Sequence, residues 1–178
     1  MKFVSILAGA VLVAGASSAS AEVVSTSATG FQLRSTAVLE STTSEQAWAA
    51  LGQWGSWWSP AHTYSGSSGN LSLDLSAGGC LCEVWDGGQI EHARVLLAWP
   101  GQGLLRMNAP FGPLQAQPVT AILTYTIRPR DEGGVEVTQT FVVGGGGEAT
   151  AAMAPLVDTV MSGGFERYVR YTQTGSAD

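Results

Sequence analysis

The side chains able to do chemistry gather in one stretch of the chain. Glu83 and His92 stand on two alternating runs separated by Asp86-Gly87-Gly88. A carboxylate that orients an imidazole is a suitable general acid–base pair, and Arg94 or Arg106 is available to face an oxyanion. Cys80 and Cys82 in the same stretch raise redox or metal chemistry. A second group, Trp54, Trp57, Trp58, His62 and Tyr64, supplies rings that either fill a core or wall the mouth of a ligand cavity.

The positions of Glu83 and His92 depend on the hairpin that carries them. With Gly87-Gly88 as the two turn residues, Trp85 faces Ile90, Glu83 faces His92 and Leu81 faces Arg94. The opposite face then holds Cys80, Cys82, Val84, Ala93, Val95, Leu97 and Trp99. That face is the more apolar, so it is expected to meet the core, with Glu83, His92 and Arg94 as a solvated cluster outside. Catalysis requires the reverse, with Glu83 and His92 turned inward at the cost of burying charge.

The cysteines are expected as two buried, free thiols. Strand residues two apart lie about 6.6 Å from one another, whereas a disulfide needs Cβ atoms about 3.8 Å apart, so a bond requires a local bulge. No metal site is expected, because Glu83 and His92 project from the face opposite both cysteines.

The elements that must position these groups can be read from periodicity. Residues 31–39 alternate as a first strand. Thr42 with Glu45, and Thr43 with Gln46, form overlapping capping boxes before a short helix around Ala47–Leu51, and a second helical turn runs from Trp54 to Pro60. Period-two segments follow at residues 71–75, 80–85, 90–99, 104–109, 119–127 and 135–143, with a proline-containing loop at 110–118. After Gly144-Gly145-Gly146-Gly147, apolar residues recur at helical spacing over residues 148–171, with Gly163-Gly164 as a weak point.

The amino terminus reads as an export leader. Met1-Lys2 precedes an apolar run, and Ala19-Ser20-Ala21 is a small-x-small cleavage pattern, so residues 1–21 are expected to be a signal peptide cut after Ala21. Residues 22–29 are expected as a flexible lead-in, 30–173 as one domain, and 174–178 as a disordered tail. The localisation implied is periplasmic or secreted, with no membrane span.

Charge and composition exclude several functions. Among 178 residues, eight are basic and fourteen acidic, for a formal charge of −6 and a pI near 4.8. That sign opposes nucleic-acid binding. Lys2 is the only lysine, so Schiff-base, pyridoxal-phosphate and P-loop chemistries are absent from the rest of the chain, and no cofactor is expected. Gly-x-Ser-x-Gly, His-Glu-x-x-His and Cys-x-x-Cys patterns do not occur. With hydrophobic residues at 45% and charged ones at 12%, a packed core is expected, and a ligand held by shape and apolar contact fits better than one held by ion pairs.

The order of elements, together with Thr43-Ser44-Glu45-Gln46-Ala47-Trp48, Trp57-Trp58-Ser59-Pro60-Ala61-His62, Gly78-Gly79-Cys80-Leu81-Cys82-Glu83, Glu91-His92-Ala93-Arg94-Val95, Pro100-Gly101 and Gly112-Pro113-Leu114-Gln115, resembles the START-like helix-grip superfamily, also called SRPBCC. Within it the resemblance is to the polyketide-cyclase and heat-shock-ATPase-activator-like branch, here in an exported form. It implies an α+β fold in which six or seven antiparallel strands wrap around a long C-terminal helix and leave an apolar cavity. It also implies binding of a lipid, polyketide or similar hydrophobic molecule. The residues expected to line the cavity are Trp57, Trp58, His62, Tyr64, Trp99, Phe141, Leu156 and Val160. Two further readings stay open: an enzyme of the same fold, a cyclase, dehydratase or hydrolase using Glu83 and His92, and a protein-interaction module docking through an exposed Trp54–Trp58 cluster. No particular protein partner is implied.

Overall fold

The computed structural model describes residues 20–178. The expected leader therefore lies outside the described residues except for its last two positions. Eight antiparallel strands form one sheet: β1 (Ser20–Ser27), β2 (Gly30–Leu39), β3 (Leu71–Leu73), β4 (Cys80–Trp85), β5 (Gly88–Trp99), β6 (Leu104–Asn108), β7 (Val119–Pro129) and β8 (Val135–Gly145), in the spatial order β1-β2-β8-β7-β6-β5-β4-β3. Helices α1 (Ser44–Gly52) and α2 (Trp54–Trp57) lie between β2 and β3, while α3 (Gly147–Ala151) and α4 (Ala154–Thr174) close the chain. This is a helix-grip α+β fold.

The alternation seen in the sequence sets the core face. Phe31, Leu33, Ala37 and Leu39 of β2, Ala121, Leu123, Tyr125 and Ile127 of β7, and Val135, Val137, Phe141 and Val143 of β8 are all buried. Against them α4 turns Met161, Phe165, Tyr168 and Val169. The grip is polar as well as apolar. Tyr168 donates its hydroxyl to Ala47 O at 2.9 Å, and Arg167 Nε donates to Trp57 O at 2.7 Å, tying α4 to α1 and α2.

Helix α1 starts on the second of the two capping boxes: the Thr43 hydroxyl accepts from Gln46 N, and the Gln46 side chain accepts from Thr43 N. The expected strand at 71–75 stops at Leu73, because Asp74 Oδ1 accepts the Ser76 N–H and turns the chain. The closing helix is divided at Ala152–Met153, just ahead of Pro155 in the first turn of α4, and runs unbroken through Gly163-Gly164. Gly164 is required there by packing: a Cβ would lie 2.4 Å from the Trp58 ring.

Two terminal expectations are corrected. Residues 22–27, expected as a flexible lead-in, belong to edge strand β1, paired with β2. Its Val23 and Val24 are both exposed, so an edge held by backbone hydrogen bonds lacks the one-sided apolar alternation that signals a strand. The last residues, expected to be disordered, fold back on α4. Gly175 in the left-handed region ends the helix, Ala177 is buried, and Asp178 Oδ1 meets Arg167 Nη1 at 2.8 Å.

Candidate functional site

The hairpin of β4 and β5 departs from its expected register. Trp85 pairs with Gly88, making Asp86-Gly87 the turn, and Glu83 lies opposite Ile90 instead of His92. Gly87 takes φ 94°, and Gly88 sits beneath the Trp85 indole, where a Cβ would come within 2.4 Å of the ring. Further along, Leu81 pairs with Ala93 while Cys82 pairs with Glu91, which leaves His92 as the extra residue of a β-bulge. A second bulge inserts Leu96 between Val95 and Leu97.

These bulges overturn the face assignment made from strict alternation. One extra residue reverses the side to which every later side chain points. The bulge at His92 brings Ala93 and Val95 to the face already shared by Leu81, Glu83 and His92, and all five are buried, whereas Arg94 stays exposed. The second bulge leaves Trp99 55% exposed on β5, so it is not a cavity residue. Arg94 is occupied outside by Glu91 and Gly78 O, and Arg106 by Thr124, so neither arginine faces the interior pair.

Cys80 and Cys82 form a disulfide with a Cα–Cα distance of 5.3 Å, correcting the expectation of free buried thiols. That span is shorter than the about 6.6 Å of a regular strand, and it lies where the β4–β5 register shifts between Leu81 and Cys82. Both cysteines are half-buried on the side opposite Leu81 and Glu83. Among the described residues, no group of three or more His, Cys, Asp or Glu gathers as a metal centre.

Glu83 is fully buried. Its Oε2 lies 2.8 Å from His92 Nε2 and accepts the Tyr64 N–H at 3.0 Å, while Oε1 accepts the Ser65 N–H at 2.6 Å. Burial alone raises the carboxyl pKa. The Ser65 side chain, the N–H groups of Tyr64 and Ser65, and His92 together outweigh burial and bring it down to about 2. Glu83 is therefore a carboxylate at neutral pH, an acceptor only, and the proton on the Glu83–His92 contact belongs to Nε2. Nδ1 has no hydrogen-bond partner among the described residues, and it is not one of their sealed, unsatisfied polar atoms.

His92 also lines a cavity of about 420 Å³ bounded by the sheet, α2, the loop after β6 and helix α4. Trp54, Leu81, Leu114 and Met161 form buried walls, and Tyr64 and Leu156, 56% and 65% exposed, stand at its edge. No Asp, Glu, Lys or Arg is among its lining residues. Phe111 packs 6.5 Å from the His92 ring and 6.0 Å from Trp58, between centroids, and Tyr64 lies 5.8 Å from His92 on the same measure.

Of the residues expected to line the cavity, Trp58, His62, Tyr64, Leu156 and Val160 do so. Trp57 does not: it is buried in the core with its Nε1 donating to Ala50 O at 2.8 Å. Phe141 lies behind Phe111, with ring centroids 6.0 Å apart. Trp54, Trp57 and Trp58 are all buried, so the exposed patch required by an interaction module at this cluster is absent. Trp54, one of the aromatic cluster weighed as core or cavity mouth, also lines it, and the wall residues not foreseen are Thr63, Leu71, Leu81, Phe111, Gly112, Pro113, Leu114, Met153, Val157 and Met161. Val157 and Met161 follow Leu156 and Val160 along one helix and were legible as its neighbours. Phe111 and Leu114 come from a proline-containing loop that carries no periodic signal.

No family profile matches the sequence, and no curated protein matches it. Solved structures do. A conserved protein of unknown function from Enterococcus faecalis aligns with a TM-score of 0.61 at 9% identity, covering 86% of this chain and 77% of that one. A Thermobifida fusca protein solved by NMR gives 0.55 at 17% identity, covering 78% and 93%. Truncated norcoclaurine synthase from Thalictrum flavum gives 0.51 at 12% identity, covering 90% and 96%. At such identities the likeness is one of fold, and the helix-grip fold is what this chain shares with them.

Proposed function

We propose that this protein binds a small hydrophobic molecule, a lipid, polyketide or compound of that kind, in the cavity between the sheet and α4. The observation that carries the reading is the cavity itself: about 420 Å³, walled mainly by aromatic and aliphatic side chains and free of Asp, Glu, Lys and Arg. The test is native mass spectrometry of protein purified from its own host, followed by extraction and rebinding monitored through tryptophan fluorescence. Trp54 and Trp58 line the cavity, so occupancy changes their emission. Protein that carries no additional mass and shows no fluorescence response to lipophilic extract refutes the reading.

An enzymatic role on the same fold is the second reading, and the 2.8 Å contact between Glu83 and His92 at the cavity wall favours it. A carboxylate behind an imidazole equips that ring to take up and return a proton, as a cyclase, dehydratase or hydrolase requires. Its test is conversion of the co-purified molecule by the native protein and loss of conversion in His92→Phe. A ligand recovered unchanged after prolonged incubation removes this reading while leaving the first intact.

The leader-like residues 1–21 support export to the periplasm or exterior, and the Cys80–Cys82 disulfide fits an oxidising compartment. Cell fractionation with amino-terminal sequencing of the mature protein tests this. A cytoplasmic protein retaining Met1 contradicts it.

A further inference from the structure

The cavity is apolar but not featureless, and its polar wall has a definite donor and acceptor pattern. Glu83 holds three N–H groups and is sealed from solvent, so it cannot itself meet a ligand. Its action reaches the cavity through His92. A carboxylate only accepts, so it keeps an imidazole proton on Nε2, and in the neutral form of the ring Nδ1 is the lone-pair acceptor. Tyr64 and Phe111 pack beside that ring, at centroid distances of 5.8 and 6.5 Å, so the cavity wall around His92 is aromatic surface that suits an apolar ring. The lining contains no lysine or arginine to balance an anion and no aspartate or glutamate to balance a cation. A charged ligand group would lose its hydration with only the imidazoles of His62 and His92 and the Thr63 hydroxyl to meet it.

From this arrangement we infer that the ligand is a neutral, ring-containing apolar molecule carrying a hydroxyl, which donates its hydrogen bond to His92 Nδ1. The inference rests on the binding reading above and specifies the chemical class that the cavity takes. Glu83 is a positioning residue: it fixes the tautomer and the tilt of the ring without touching the ligand.

The experiment compares three probes of one shape, naphthalene, 2-naphthol and 2-naphthoate, by tryptophan fluorescence titration of the full chain at a mildly alkaline pH, which favours the neutral form of an imidazole. The expected order is 2-naphthol over naphthalene by about three- to tenfold, the worth of one net hydrogen bond, with 2-naphthoate weakest. In His92→Phe the naphthol preference disappears while naphthalene still binds. If that variant does not fold, nitrogen-15 NMR of the unmodified protein gives the second readout. His92 Nδ1 then shifts on adding 2-naphthol and not on adding naphthalene. Equal binding of naphthalene and 2-naphthol, a preference surviving in His92→Phe, tightest binding of the naphthoate, or an unmoved Nδ1 resonance overturns the inference and leaves the binding reading standing. Failure of all three probes and of lipophilic extract to bind removes both.

Discussion

Glu83 is a buried carboxylate whose oxygens accept from two backbone N–H groups and from His92. Replacing it by glutamine keeps the shape but places an amide N–H₂ where one of those donors already points. A buried donor then faces a donor. Glu83→Gln is expected to lower stability at pH 7 by about 2–3 kcal/mol, measured by urea denaturation. The pH dependence gives a second check. The folded pKa of about 2 lies below the unfolded value of 4.5, so the contribution is fully present above about pH 4.5 and is lost as the pH falls towards 2. The loss amounts to about 3 kcal/mol for this one group, since each pKa unit is worth about 1.4 kcal/mol. A Glu83→Gln protein whose urea midpoint falls between pH 5 and 2.5 as steeply as that of the unmodified protein contradicts this assignment.

Among the elements, α4 carries two adjacent glycines with opposite roles. At Gly163 a Cβ would find nothing within 4 Å, whereas at Gly164 it would meet Trp58 at 2.4 Å. Gly163→Ala is expected to raise stability by about 0.5–1 kcal/mol through helix propensity alone. Gly164→Ala is expected to lower it by about 1–3 kcal/mol, because Trp58 must move out of a packed position at the cavity wall. Thermal melts of the two variants should therefore move in opposite directions. If Gly164→Ala melts as high as Gly163→Ala, the close approach of helix and indole is wrong. Strand β5 shows the same dependence on single residues: without the bulge at His92, Ala93 and Val95 would stand on the face away from Glu83.

For the molecule as a whole, a formal charge of −6 contrasts with a cavity that has no Asp, Glu, Lys or Arg in its lining. Affinity for a neutral ligand should accordingly change little between low and high salt, because no ion pair is made or broken. Val157→Phe is expected to fill part of the cavity, weakening probe binding about tenfold or more while leaving the urea midpoint nearly unchanged. The added ring occupies space that is already empty, so overpacking strain is small. Steep salt dependence, or unchanged affinity in Val157→Phe, places the ligand somewhere else on the protein.

The sequence by itself determined the large-scale arrangement, because alternation over residues 31–39, 119–127 and 135–143 and helical spacing after residue 153 each depend on local periodicity. It also singled out Glu83 and His92 as the pair worth testing and named Trp58, His62, Tyr64, Leu156 and Val160 for the cavity wall. It could not assign the side of the sheet on which Glu83 and His92 stand. The apolar Ala93 and Val95 decide which face meets the core, and a β-bulge at His92, a single extra residue with no periodic signature, moves them to the face of Glu83 and His92. The Cys80–Cys82 bond was hidden because a regular strand keeps such residues about 6.6 Å apart, and the 5.3 Å span is a local departure from that geometry with no signature in the sequence. Trp57, Trp99 and Phe141 looked like cavity rings by type. Tertiary packing alone put Trp57 in the core, Trp99 on the surface and Phe141 behind Phe111, because a side chain's surroundings are set by elements distant in sequence.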